Sequence, residues 1–351
     1  MRILLLFWLL LSTSVVLAWP RYNNPHNFVN NLVTHFDSLP SSGEIDQNFI
    51  AWPGNHWPHN QSGIAHRWSS GDPQNFRYKL LDASELRDLP AHKRAELSPA
   101  EKYDIYMGRY DYPTVRREWR DYSPNDTTWF GICHGVAPAS LNHPEPLNTT
   151  VINRDGVKID FYSSDVKALL AYQYAKVWRA STKQLGRRCY EGDWDNIPRR
   201  RQRDCADVDP AAFHLVFTNL IGLRKQSFIA DIDPLFEVWN HVPRSYSYDI
   251  YEEYETRENA TRGTVRVLWV GAVLNFAAAI APTTDPVIGT ERGYYVDQNY
   301  SYLLDLDRHG NIIGGKWLDN RKPDFVWTQN SLNFRGYWNG LNQIYRPRTS
   351  L

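Results

Sequence analysis

The spacing of apolar residues changes partway along this chain, and that change limits the fold more than any single residue does. Ser98-Pro99-Ala100-Glu101 is a helix start: serine can cap, proline suits the first turn, and Glu101 completes a capping box. From Ser164 onward, Val166, Leu169, Leu170, Tyr174 and Val177 recur at helical spacing and predict a second helix. Later runs have the character of strands, from Thr264 to Val270 and in a hairpin from Tyr302 to Trp317 that turns at His309-Gly310-Asn311. Helices first and strands second predict an α+β fold with an antiparallel sheet.

Neither pattern holds before Ser98. That stretch is rich in asparagine, histidine, proline and aromatics to about Asp82, and is centred on Trp52-Pro53-Gly54-Asn55-His56-Trp57-Pro58. Packing by an irregular segment is the favoured interpretation over an aromatic ligand surface. Asp88-Leu89-Pro90-Ala91-His92-Lys93-Arg94 has the composition of an exposed linker with a dibasic pair. The expected division is a signal peptide over residues 1–18, an N-terminal segment over 19–97 and the main domain over 98–351.

The signal peptide follows from Arg2, the short apolar run Ile3 to Leu11 and the small or aliphatic residues Val16-Leu17-Ala18, with cleavage expected before Trp19. The run is too short to span about 30 Å of hydrocarbon. The later stretch from Val265 to Ala281 is broken by Arg266 and Asn275, so no membrane span is expected. An extracellular or cell-wall location follows, and five Asn-x-Ser/Thr sequons agree with it: Asn60, Asn125, Asn148, Asn259 and Asn299. Lysine plus arginine equals aspartate plus glutamate at 39 each, so no net positive field exists to hold a nucleic acid.

Cys189 and Cys205 flank a polar loop that includes the run Arg199-Arg200-Arg201-Gln202-Arg203, which is simplest as a solvated turn. In an oxidising compartment these two are expected to pair, a bridge that stabilises by roughly 3 kcal/mol in the loop-entropy account. Cys133 is then the odd one. An unpaired cysteine in an exported chain is an intermolecular bridge, a buried inert thiol or a nucleophile, and the count alone does not choose.

Cys133 lies in Thr128-Trp129-Phe130-Gly131-Ile132-Cys133-His134-Gly135-Val136-Ala137-Pro138-Ala139-Ser140. Small residues on both sides would let a carbonyl approach the sulfur with backbone N–H groups facing the oxyanion. Gly131 and Trp129 are the oxyanion or substrate candidates, with core packing the plain alternative for Trp129. A helix starting at the cysteine would depress its pKa, although Gly135 and Pro138 count against such a start. His134 is a poor base because neighbouring side chains diverge. His214, in Ala212-Phe213-His214-Leu215-Val216-Phe217-Thr218-Asn219, is the better candidate. The run alternates like a strand, and a hairpin about Gly222-Leu223 would set His214 opposite Asp231 of Ser227-Phe228-Ile229-Ala230-Asp231. Asp231 would then orient the imidazole, with Asp233 as the fallback.

Three motifs together resemble the oomycete transglutaminase elicitor family: Cys-His-Gly-x-Ala-Pro, Phe-His-x4-Asn-x-Ile-Gly, and Glu237-Val238-Trp239-Asn240 after Asp231. Matches at Trp52-Pro53, Ser98 to Tyr103, Leu304-Asp305-Leu306-Asp307, Gly310 to Gly315 and Pro323-Asp324-Phe325 extend the resemblance along most of the chain. It implies a papain-like or transglutaminase-like cysteine core, protein-glutamine γ-glutamyltransferase activity with Cys133, His214 and Asp231 as its triad, and a disulfide like Cys189–Cys205. It also implies zymogens with N-terminal propeptides, a role residues 19–97 would fill. Glutamine and lysine side chains of proteins, cell-wall proteins among them, are the implied substrates, and a plant receptor is an implied partner.

The chain departs from the family pattern at Val136, where tryptophan is expected, at Lys316, where glutamate is expected, and at Lys322, where histidine is expected. The family's elicitor peptide reads Val-Trp-Asn-Gln-Pro-Val, and here the stretch is Val238-Trp239-Asn240-His241-Val242-Pro243. The chemistry needs no metal, although the resemblance implies calcium stimulation without naming ligands. Asp305-Leu306-Asp307-Arg308-His309-Gly310 is not an EF-hand, because Lys316 stands where the twelfth-position glutamate belongs. Two other classes share these residues: a cysteine peptidase or amidase with water as acceptor, and a non-catalytic recognition or wall-binding protein that uses the aromatics.

Overall fold

The helical part comes first, as its capping signals require. The structure, a computed structural model, describes residues 19–72, 74–178, 180–188, 207–233 and 237–348. Helices α1 (Ala83–Asp88), α2 (Ala91–Ala95), α3 (Pro99–Tyr106), α4 (Pro113–Asp121), α5 (Cys133–Asn142) and α6 (Ser163–Tyr172) precede α7 (Pro210–Phe217) and the short α8 (Leu341–Ile344). The expected capping box is present: Ser98 accepts from Glu101 N–H, and Glu101 accepts from Ser98 N–H. The periodic run from Ser164 forms α6, and its last turn widens into a π-helical stretch at Gln173–Val177.

The strands are β1 (Ser42–Glu44), β2 (Thr149–Ile152), β3 (Lys158–Phe161), β4 (Thr182–Gly186), β5 (Ile229–Asp231), β6 (Asn240–His241), β7 (Pro243–Tyr254), β8 (Arg266–Ala277), β9 (Tyr295–Leu306), β10 (Ile312–Trp317) and β11 (Phe325–Gln329). They form an antiparallel five-stranded sheet in the order β1-β7-β8-β9-β10, a four-stranded sheet in the order β4-β11-β5-β6, and the hairpin β2-β3. The predicted hairpin is β9–β10, and Gly310 in its turn has φ +78°, a left-handed conformation that favours glycine. Alternating burial along β8 puts Leu268, Val270, Ala272, Leu274 and Phe276 against α7 in one apolar cluster. A second cluster joins α3, α5 and α6 to the first hundred residues.

Residues 210–223 correct the sequence expectation. They are not the first strand of a hairpin but helix α7, running into a π-helical stretch at Thr218–Leu223. A short run that is apolar on every side looks the same as a buried strand or a buried helix. The deciding signals are local. Asp209 caps by accepting from Ala211 N–H and Ala212 N–H, and Pro210 takes the first turn.

The segment before Ser98 is irregular, as expected, but it is built into the body of the protein. Trp52 is buried and donates its indole N–H to His143 O at 2.9 Å, Ile64 and Ala65 are fully buried, and β1 pairs with β7. The stretch expected as an open linker folds into α1 and α2, with His92 and Lys93 exposed.

Candidate active site

Helix α5 begins at Cys133 despite Gly135 and Pro138, and the reason is packing. A Cβ on Gly135 would lie 2.2 Å from Ala171 O, so the missing side chain lets α5 lie close against α6. Gly131 serves the same end one turn earlier, since a Cβ there would come 2.3 Å from His56 O. Ile132 N–H donates to His56 O at 2.7 Å, which fastens the start of α5 to the N-terminal segment. Gly131 is therefore a docking position. Trp129 packs edge-on against Phe130 and does not line the cavity at Cys133.

Cys133 is a free, buried thiol. Its Sγ–H donates to Val238 O at 3.4 Å, and the Asn240 side-chain amide donates to Sγ at 3.6 Å. Burial pushes the thiol above its ordinary value; Asn240, through backbone and side-chain N–H, and the His134 N–H oppose this, while the charge of Asp231 adds to it. The helix start that was expected to depress the pKa is present, and burial outweighs it.

Asn240 belongs to β6 and is registered opposite Asp231 of β5, so the two side chains share a face of the four-stranded sheet. Asn240 Oδ1 accepts from the Trp327 indole at 2.7 Å, and Asp231 Oδ1 accepts from Trp239 N–H at 2.8 Å. Burial pushes Asp231 up to about 7, against the pull of the Trp239 N–H. Asp233 lies half-buried just beyond β5.

A small cavity of about 30 Å³, room for about two waters, opens on the sulfur. Trp52, Gly54 and His56 of the N-terminal segment line it, together with Val136 and Ser140 of α5, Trp239 to Val242, and residues 277–279. Of the elicitor-like residues, Val238 meets the thiol, Trp239 and Asn240 wall the cavity, and Pro243 begins β7, paired with Phe276.

His214 is not in this cavity. It lies on α7, wholly buried, with Nδ1 hydrogen-bonded to Tyr302 Oη at 2.8 Å and its ring against Phe36, Phe217 and Tyr248. Burial pulls its pKa down to about 3. The hairpin that was to bring it to Asp231 does not exist, so the structure joins Cys133 with Asp231's strand and leaves His214 in the core. The imidazoles that do line the cavity are His56 and His241. His56 sits in the aromatic motif and His241 in the elicitor-like stretch, and neither stood apart as a motif of its own.

Asp305 and Asp307 are occupied structurally. Asp305 takes two hydrogen bonds from Arg257, and Asp307 caps the β9–β10 turn through His309 N–H and Asn311 N–H. Among the described residues, no group of three or more histidine, cysteine, aspartate or glutamate side chains has the arrangement to hold a metal ion. Cys189, Cys205, the Arg199 to Arg203 run and the signal segment lie outside the described residues. Asn125, Asn148, Asn259 and Asn299 are exposed, whereas Asn60 is partly buried and donates to Asp126 O. Among the described residues, no helix is long and apolar enough to cross a membrane.

The fold matches the crystal structure of the GP42 transglutaminase from Phytophthora sojae with a TM-score of 0.64, 21% identity, and coverage of 89% of this chain and 92% of that one. No curated protein sequence gives a significant match. The family described as transglutaminase elicitor matches residues 121–333, more than half of the chain and the whole of the Cys133 site outside the N-terminal segment. The chain belongs to the transglutaminase elicitor family.

Proposed function

We propose that the chain is an exported transglutaminase-like acyltransferase that joins protein glutamine to primary amines through a thioester on Cys133. The observation that carries this is the placement of the one free cysteine among the described residues: at the start of α5, against Asn240, on an open cavity. The sulfur attacks the glutamine carboxamide carbon, the C–N bond breaks, and ammonia leaves with the thiol's proton. A lysine amine then attacks the thioester, the C–S bond breaks, and the amine's proton returns to sulfur. Helix N-terminal N–H groups beside Cys133 are suited to the oxyanion. Family membership supports an amine acceptor over water.

Export is supported by the N-terminal sequence and by the exposed sequons. Cell-wall proteins are the natural substrates in that setting. Asn240 to Pro243 are buried, so a plant receptor would read this stretch only after its release from the fold. Calcium stimulation is tested by chelation and re-addition. The test of the function is transfer of a labelled primary amine into a glutamine-rich protein. Wild type should label it and Cys133→Ala should not; equal labelling would refute the proposal.

A further inference from the structure

Val136 stands one turn along α5 from Cys133, and positions three apart on a helix share a side, with Cβ atoms about 5–6 Å apart. Both residues line the same cavity. Val136 is also a place where the chain departs from the family pattern, which carries tryptophan. We infer that Val136, facing Gly54, is the specificity-determining residue that admits slim, unbranched, uncharged groups to the Cys133 sulfur and stops branched ones. The inference rests on the acyl-transfer function proposed above.

Gly54 forms the wall opposite. A Cβ there would lie 3.3 Å from Val136 Cγ1 and 3.0 Å from the Trp52 ring, so a side chain at 54 would crowd both. The backbone of this wall is pinned. Gly54 bridges Ala279, its carbonyl accepts from Ile280 N–H at 3.1 Å, and Trp52 O accepts from the Ser140 hydroxyl at 3.0 Å. The backbone under Val136 is pinned too, because α5 lies close against α6 at Gly135. Valine is stiff about χ1 in a helix. The width of the neck between Gly54 and Val136 therefore follows the size of the side chain at 136.

The walls add a second filter. Trp52, Val136, Ala137, Val242 and residues 277–279 are apolar, and none of the described residues lining the cavity is a carboxylate, lysine or arginine. Burial holds His56 and His241 below the ordinary histidine value, so both are neutral at pH 7. A carboxylate or ammonium group entering here would lose its water and gain no partner of opposite charge. The cavity, about 30 Å³, suits an extended methylene chain that ends in a carboxamide or a neutral amine. Glutamine meets both conditions, glutamate fails on charge, and lysine enters as the free amine.

The test uses iodoacetamide and its N-tert-butyl derivative as probes of Cys133, each alkylation rate divided by the rate for free cysteine. In wild type the slim reagent should lead by about 10-fold or more, the discrimination that a methylene or two brings in an apolar pocket. Val136→Ala should cut that lead about 10-fold. Alanine is the better helix former, so this variant keeps α5. Val136→Trp should raise the lead. Amine incorporation should follow the same order: Val136→Ala should lower KM for neopentylamine and leave n-butylamine nearly unchanged. A wild-type protein with no lead overturns the inference whatever the variants do. So does an unchanged lead in whichever variant melts as wild type does. If the lead follows residue 136 yet wild type transfers neither amine, the neck stands and the acyl-transfer function falls.

Discussion

The amide of Asn240 reaches the Cys133 sulfur at 3.6 Å while its oxygen accepts the Trp327 indole N–H at 2.7 Å, so one side chain ties the thiol to the four-stranded sheet. Asn240→Ala removes the donor to the thiolate and takes the acceptor from the partly buried Trp327 indole N–H. A hydrogen bond to a charged group contributes about 1.5–3 kcal/mol, which corresponds to a loss of roughly 10- to 100-fold in alkylation rate at neutral pH. Denaturant unfolding should show a stability loss of about 1–3 kcal/mol. Unchanged alkylation would mean that Asn240 does not tune the thiol.

His214 should matter to stability rather than to chemistry. Its folded pKa, about 3, lies below the value of a free histidine. Between about pH 6.5 and pH 3 the unfolded chain therefore binds the proton that the folded chain refuses, and stability falls as pH falls through that window. Removing the titration with His214→Gln should flatten this acid slope by up to about 1.4 kcal/mol per pH unit. The variant should be less stable at pH 7 and should keep the wild-type pH profile of Cys133 alkylation. A shifted profile would return His214 to the chemistry.

The segment before Ser98 supplies Trp52, Gly54 and His56 to the cavity and His56 O to the start of α5. Cleavage after Arg94 with removal of the released piece should lower the melting temperature and amine incorporation together. A rise in activity on cleavage would show instead that the segment restrains the enzyme, as a propeptide would.

The architecture was legible in the sequence wherever a local signal agreed with burial. The Ser98 capping box, the apolar period from Ser164 and the Gly310 turn each specify one element, and each forms. Cys133 was legible because an odd cysteine flanked by small residues is unusual. The base was not. Apart from His214, residues 211–217 are all apolar, so period could not separate a buried helix from a strand, and the cap at Asp209 was the weaker signal that decided it. His241 and His56 come to the cavity at Cys133 only through tertiary packing of β6 and the N-terminal segment against α5, which no spacing in the sequence encodes.

The thiol inventory gives a fourth check. Peptide mapping of unreduced protein should find Cys189 joined to Cys205 and Cys133 unmodified. Cys133 in a disulfide in active protein would remove the nucleophile.

The central claim is a thioester on Cys133, and intact-mass analysis after rapid mixing with a glutamine peptide tests it most directly. Without amine, the protein should gain the mass of the peptide less ammonia, fragmentation should place the gain on Cys133, and added primary amine should discharge it. Amine incorporation that proceeds with no adduct on Cys133, or an adduct on another residue, would contradict the account.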